Sequence, residues 1–218
     1  KREIFAGPNA KTANKAAINR FETEADRRMA AAQRNAALPF EQGGLGLPAD
    51  NTPMDRARAM GFDVDTNLLH GTSSDFGEFS DGRIKTYLTN KPEIAEIYAN
   101  ARARDSSVRN KNAEPNIIPV ITRNNNELIV TDVRDGNHGW SSDNLRNALG
   151  TDQKRGLYDI AQKQGIDRVR IDDMLDLGGE QSQWVVADPS NIRSRFAAFD
   201  PMRSNESDLD RKSTRLNS

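Results

Sequence analysis

Apolar positions fall along this chain in two regimes. From position 10 to 38 the sequence is alanine-rich, and Ile18, Phe21, Ala25, Met29, Ala32 and Ala36 recur at steps of three and four. That spacing writes one apolar stripe on a helix, which Pro39 stops. The stripe is narrow and built mostly of small side chains, so the helix is expected to dock weakly or to act as a connector. Gln42 to Asp50 (QGGLGLPAD) reads as loop from its Gly and Pro content. Thr52-Pro53-Met54-Asp55 then supplies a cap, a first-turn proline and an early acid for a short helix that Gly61 ends.

From Phe62 the pattern turns to short apolar runs. Thr66 to Leu69 predicts a strand leading into His70-Gly71-Thr72, and Ile84 to Thr89 alternates as a second. Asn90 caps a helix whose Pro92 and Glu93 suit its first turn, with Ile94, Ile97, Tyr98 and Ala101 on one face. Arg102 to Asn116 is polar and loop-like. Ile117 to Thr122 and Leu128 to Asp132 predict strands joined by the turn Asn124-Asn125-Asn126. Ser142 caps a helix through Leu149, and Gln153 to Gln164 reads as another, ended by Gly165. Val169 to Ile171 and Gln183 to Ala187 predict the last strands, with Gly178-Gly179 in the turn region between them.

Strands interrupted by short helices, without regular βαβ alternation, argue for an α+β class. Of the 43 Leu, Ile, Val and Phe residues, 33 lie between positions 62 and 199, so the core is expected there. This divides the chain into an N-terminal helical linker region (1–61), a core domain (62–199) and a polar tail (200–218). The tail lacks periodicity and reads as disordered, and RKSTRLNS at its end reads as foreign to the natural protein. The opening at Lys1 without methionine suggests a piece of a longer chain.

Composition removes several chemistries. Basic and acidic side chains number 31 and 32, so no general attraction to nucleic acid or anionic membrane is expected. There is no cysteine, which excludes disulfides, thiolate zinc sites and Cys nucleophiles. Two histidines, His70 and His138, cannot build a histidine-rich metal site, and neither EF-hand spacing nor a P-loop occurs. No GxSxG elbow supports a serine hydrolase. No apolar run approaches the ~18 residues of a membrane span, and the N-terminus lacks a signal-peptide plan.

Singly, the remaining candidates have ordinary readings. His70 would be a strand end turning at glycine, its imidazole bonded to backbone. Tyr87 and Tyr98 would be core aromatics, Gln183 an outward-facing residue at a strand start, and His138 a loop histidine. Asp172, Asp173 and Asp176 could hold a divalent cation, but a solvated loop accounts for them as well.

Order and spacing add a further reading. A strand-borne His-Gly-Thr (His70 to Thr72) precedes Tyr87-Leu88-Thr89-Asn90 by 17 residues. Tyr98 follows on a helix 11 residues later, and a late strand opens Gln183-Trp184-Val185-Val186-Ala187-Asp188-Pro189. This set resembles the H-Y-E branch of the ADP-ribosyltransferases, shared by diphtheria toxin and the poly(ADP-ribose) polymerases. It is most similar to the ADP-ribosyltransferase domains of phage and prophage polyvalent proteins. The carriers of the likeness are Leu68 to Phe79 and Gln183 to Ser194, and the whole spans Phe62 to Phe199. Ile4 to Asn14 also looks like the linkers preceding such domains.

The resemblance implies a split two-sheet β core with short flanking helices, binding NAD as substrate without a metal. It implies that the backbone of Gly71 pairs with the nicotinamide amide, beside His70 and Thr72. His70 would donate to an adenosine-ribose hydroxyl, and Tyr87 and Tyr98 would sandwich the nicotinamide. Catalysis would fall to His70, Tyr87 and Gln183. The chain departs from the family at three points. Gln183 stands where the family has its catalytic glutamate, Ala95 lacks a hydroxyl some relatives carry, and no glycine directly precedes Tyr87. Glu180, three residues earlier, is the alternative carboxylate. The implied activity is mono-ADP-ribosylation of a host macromolecule, a protein first, in the bacterial cytoplasm. Alternatives are an NAD glycohydrolase, a weak or inactive NAD/ADP-ribose-binding module, or a structural segment of a phage polyvalent protein.

Overall fold

The computed structural model describes residues 24–73, 76, 78, 79, 85–104, 115–131, 143–153, 155–176 and 179–206, with 101–104, 175, 176, 179 and 180 described by backbone only. Expectations for Ile4 to Asn14, His138, the Ser142 cap, Gly178 and the tail from 207 lie outside the described residues.

Residues 24–37 form helix α1, with Ala32 and Ala36 of its small-residue stripe fully buried. Small side chains bring the helix close, and polar groups then tie it down. Asn35 Nδ2 donates to both carboxylate oxygens of Asp200 at 3.0 Å, and Asn51 Nδ2 donates to the Gln33 carbonyl at 3.1 Å. The backbone N–H groups of Leu45 and Leu47 both reach the Ala36 carbonyl, so the Gly-rich loop folds back over the helix end. Helix α2 (Pro53–Ala59) starts with a complete capping box between Thr52 and Asp55. Gly61 follows at φ 81°, a left-handed conformation that suits glycine.

The strands are β1 (Leu68–Thr72), β2 (Thr86–Thr89), β3 (Asn116–Thr122), β4 (Glu127–Thr131), β5 (Arg168–Asp176), β6 (Gly179–Val186) and β7 (Ile192–Ser194). Helix α3 (Pro92–Arg104) follows β2, and α4 (Asp143–Ala148) and α5 (Leu157–Lys163) lie between β4 and β5. The fold is α+β, as the patterning implies. Its strands form one mixed sheet in the order β4-β5-β6-β2-β1-β3-β7, in which only β4 and β5 run parallel. Among the described residues the strands make this one sheet, and the expected two separate sheets are not seen. The asparagine turn joins β3 to β4 without pairing them, because β4 lies at the opposite edge.

One continuous sheet still behaves as two halves. β1 and β3 pair from Leu68↔Val120 to Thr72↔Asn116, and β2 and β6 pair from Thr86↔Val186 to Thr89↔Gln183. Between them, β1 and β2 share the single pair Leu69↔Thr89. The sheet must also roll. Arg168 on β5 donates to Thr122 Oγ1 on β3 at 2.8 Å, although four strand spacings, about 19 Å in a flat sheet, separate those strands. The rolled face holds a core from both halves, with Leu68, Ile118, Val120 and Ile192 meeting Leu88, Trp184 and Val186.

The outer face carries the helices. Val130, Val169, Ile171 and Val185 pack under Leu145, Leu149, Leu157 and Ala161 of the α4–α5 region. At the other end Ile121 packs with Ala57 of α2, Phe62, Val64, Ala197 and Phe199. Residues 200–206, which composition assigns to the tail, belong to this end. Asp200 caps a 3₁₀ turn (Pro201–Arg203), and Arg193 Nη2 holds the Arg203 and Ser204 carbonyls at 3.1 and 2.7 Å. Local polar capping, which a hydrophobicity pattern does not register, orders them. Among the described residues no helix is long and apolar enough to cross a membrane.

Candidate functional site

Where β1 and β2 part, a cavity opens. It is lined by Leu69, His70, Gly71, Lys85, Tyr87, Leu88, Thr89, Tyr98 and Gln183, and its volume is about 90 Å³. Alternation along the strands explains who faces it. Leu69, Gly71, Tyr87, Thr89 and Gln183 share the outer face through the registers Leu69↔Thr89 and Thr89↔Gln183, and α3 brings Tyr98 over them. Five of the six residues that the sequence singles out thus line one cavity. Thr72 does not: it is buried beyond the opening, paired with Asn116.

His70 closes the gap between the strands. Its Nδ1 lies 3.1 Å from the Tyr87 carbonyl oxygen, and its ring meets Phe76 and Phe79 edge-on at 6.1 and 5.7 Å. A carbonyl only accepts, so Nδ1 carries the proton, and in neutral imidazole Nε2 is then an acceptor. Nε2 accepts from a ligand hydroxyl when the ring is neutral and donates when it is protonated.

Gly71 has a structural reason that spacing alone does not reveal. A Cβ there would stand 2.0 Å from the Ala95 carbonyl oxygen, so α3 rests directly on the β1 backbone. Ala95 and Ala99 are buried at that interface. Ala95 is small for the same packing reason.

Gln183 is not a solvent-exposed residue at a strand start. It sits well inside β6, 2 % exposed. Its Nε2 donates to the Tyr98 hydroxyl at 3.3 Å, while its Oε1 is buried without a hydrogen-bond partner. A buried acceptor left unmade costs about 1–3 kcal/mol, and this one belongs to a cavity-lining side chain. Tyr87, in contrast, is 39 % exposed, more than a core aromatic would be.

Three contributors escape the sequence motifs, and two of them sit side by side on α5. Tyr158 packs edge-on against Tyr87, with centroids 6.2 Å apart and planes at 88°. Burial, reinforced by the neighbouring Tyr87 and a hydrogen bond to it, pushes the Tyr158 hydroxyl well above the usual phenol range. Asp159 holds Lys85 Nζ at 2.6 Å. The sequence signal was weak: all three tyrosines of the chain gather here, but Tyr158 lies 71 residues after Tyr87 and looks like one more helix aromatic.

The acidic cluster has a different setting from the expected loop. Asp172 and Asp173 lie on β5 at a bulge, where Asp173 adopts φ 57°. Asp172 accepts from Ser182 at 2.6 Å and from Arg170 at 3.0 Å. Burial raises its carboxyl, but those partners more than offset this and leave it below the usual range. Among the described residues no group of His, Asp and Glu is arranged to hold a metal ion. Glu180 pairs with Leu175 along the backbone, and its side chain lies outside the description. No family model, no curated protein and no solved structure matches the chain.

Proposed function

We propose that this chain is an NAD-dependent mono-ADP-ribosyltransferase, which breaks the nicotinamide–ribose bond and passes ADP-ribose to a host macromolecule, most simply a protein in the bacterial cytoplasm. The observation that carries this reading is the meeting of His70, Gly71, Tyr87, Tyr98 and Gln183, which are far apart in sequence, around one cavity. The cavity volume of about 90 Å³ is on the scale of one flat ring, well below the several hundred Å³ of sites that enclose a whole ligand. Nicotinamide would take this cavity, against Tyr87 and Tyr98. The rest of the dinucleotide would lie along the open cleft, with a ribose hydroxyl at the His70 ring.

Gln183 Oε1 would accept from the ribose of the scissile bond. As the bond to nicotinamide breaks, positive charge grows on that sugar, and an amide dipole stabilises it without supplying net charge. Loss of one preorganised group of this kind costs about 3 kcal/mol, roughly a hundredfold in rate. The uncharged Gln183 also favours a second reading, a module that holds NAD or ADP-ribose without turning it over. An NAD glycohydrolase would use the same residues with water as acceptor.

Nicotinamide release from NAD tests the assignment. It is expected to stop in His70→Ala and to fall sharply in Tyr87→Ala, whereas equal release from both variants and wild type would remove the site from consideration. Gln183→Glu is expected to accelerate release up to about a hundredfold. NAD binding by calorimetry with no product in either wild type or Gln183→Glu would select the binding module.

A further inference from the structure

We propose that Lys85 is the anion contact of the cleft, taking the diphosphate of a nucleoside-diphosphate ligand, and that Asp159 occupies its ammonium until that ligand arrives. This deepens the function proposed above and rests on it. Among the described residues, two of the cavity-lining side chains, His70 and Lys85, are basic, and no carboxylate lines the cavity beside them. The cleft is therefore built for a ligand that is neutral or negative. His70 is turned through Nδ1 toward the Tyr87 carbonyl, which leaves Lys85 as the cationic side chain that faces the cleft.

The Lys85–Asp159 pair is lopsided. Its N···O distance is 2.6 Å, but the Lys85 side chain is 18 % exposed and that of Asp159 is 55 % exposed. The cation lies in the wall of the cleft while its partner stands in water at the rim. Solvent reaches the Asp159 side of the pair and screens its carboxylate. A diphosphate brings two negative charges and several acceptor oxygens, and attracts the ammonium more strongly than one solvated carboxylate does. Lys85 also precedes Tyr87 by two residues, and both line the cavity. The adjacent α5 residues Tyr158 and Asp159 touch one each. One turn of helix thus sets the ring and the charge together, with the charge held by a replaceable partner.

A purely structural pair, pinning α5 to β2, makes the opposite prediction for Asp159. Calorimetry on the full chain with ADP-ribose and with nicotinamide separates the two. Lys85→Gln is expected to weaken ADP-ribose binding about tenfold or more and to leave nicotinamide within about twofold, with Lys85→Arg recovering most of the loss. Asp159→Asn is expected to tighten ADP-ribose about two- to fivefold, the range of one exposed ion pair, and this gain should shrink at high salt. Equal losses of both ligands in Lys85→Gln, or a weakening of ADP-ribose in Asp159→Asn, would overturn the proposal. If Lys85→Gln does not fold, the Arg and Asn variants carry the same decision. Wild type that binds neither NAD nor ADP-ribose defeats the underlying function. Wild type that binds ADP-ribose with Lys85→Gln indifferent defeats only the role of Lys85.

Discussion

The two halves of the sheet present different walls to the cleft. On the β7-β3-β1 side the wall is Leu69, His70 and the backbone of Gly71, which is pressed against Ala95 of α3. On the β2-β6-β5-β4 side it is made of replaceable polar and aromatic pairs: Tyr87 on Tyr158, Lys85 on Asp159, Gln183 on Tyr98. Shape fixes the first wall, and side-chain chemistry tunes the second. The halves are joined at the front by Leu69↔Thr89 and at the back by Arg168, whose guanidinium meets Glu127 of β4, Asp63 and Thr122 at 2.5, 3.0 and 2.8 Å. A site between rigid and adjustable walls depends on both joints.

The back joint should be the costliest to break. Arg168 is 4 % exposed, and its partners Asp63 and Glu127 have side chains only 9 and 16 % exposed. Arg168→Leu leaves Asp63 nearly buried without its cationic partner and Glu127 with only Arg170 Nη1, 3.8 Å away, and breaking a buried pair in this way costs about 3–5 kcal/mol. Urea unfolding should show that loss near neutral pH. It should shrink in acid as Asp63 protonates. Burial raises the Asp63 carboxyl, but hydrogen bonds from Thr66 and Arg168 more than offset this and hold it below its usual value. A lowered folded-state pKa contributes stability above the unfolded value, near 3.8, which is lost as pH falls through the folded one. A neutral-pH loss under 1 kcal/mol would mean that the halves do not need this tie.

Breaking the rigid wall should come next. Gly71→Ala places a Cβ 2.0 Å from the Ala95 carbonyl. Neither neighbour is a flexible side-chain end, so α3 must lift from β1. Overpacking of this kind costs typically 1–3 kcal/mol, and α3 carries Tyr98, so Gln183 loses its partner as well. Nicotinamide release should fall with the unfolding midpoint. Unchanged stability in this variant would show that α3 is not seated as described.

What was legible in the sequence follows the same division. Strand runs such as Ile117 to Thr122, and caps such as Thr52 with Asp55, are local signals, and they name their elements within a residue or two. The gathering of Tyr87, Tyr98 and Gln183 was readable only as an ordered set of spaced motifs. The single sheet was not readable, because pairing of β2 with β6 is decided by residues about 100 positions apart. Gln183 reads as exposed because its polarity marks a strand start, whereas β6 begins at Gly179. Tyr158 and Asp159 were missed because α5 reaches β2 only through the rolled tertiary arrangement, and helix periodicity says nothing about which strand a helix will cover.

Tyr158→Phe should have the smallest effect and sharpens the contrast most. It keeps the ring that packs beside Tyr87 and removes only the hydroxyl, so the cost should be about 1 kcal/mol, one hydrogen bond. Its raised folded-state pKa gives the variant a second signature. Stability from Tyr158 is fully present below the unfolded phenol value of 10.0, and is lost as pH rises past it toward the folded value. Wild type should therefore lose stability above about pH 10 more steeply than Tyr158→Phe, which has no proton to lose at that position. In kinetics the freed Tyr87 should raise KM for NAD a few-fold, with kcat changed less, because the ring binds ground state and transition state alike. A drop confined to kcat would mean that Tyr158 acts on the reacting bond and not through the orientation of Tyr87, and parallel alkaline curves would mean that its hydroxyl is not buried against that ring.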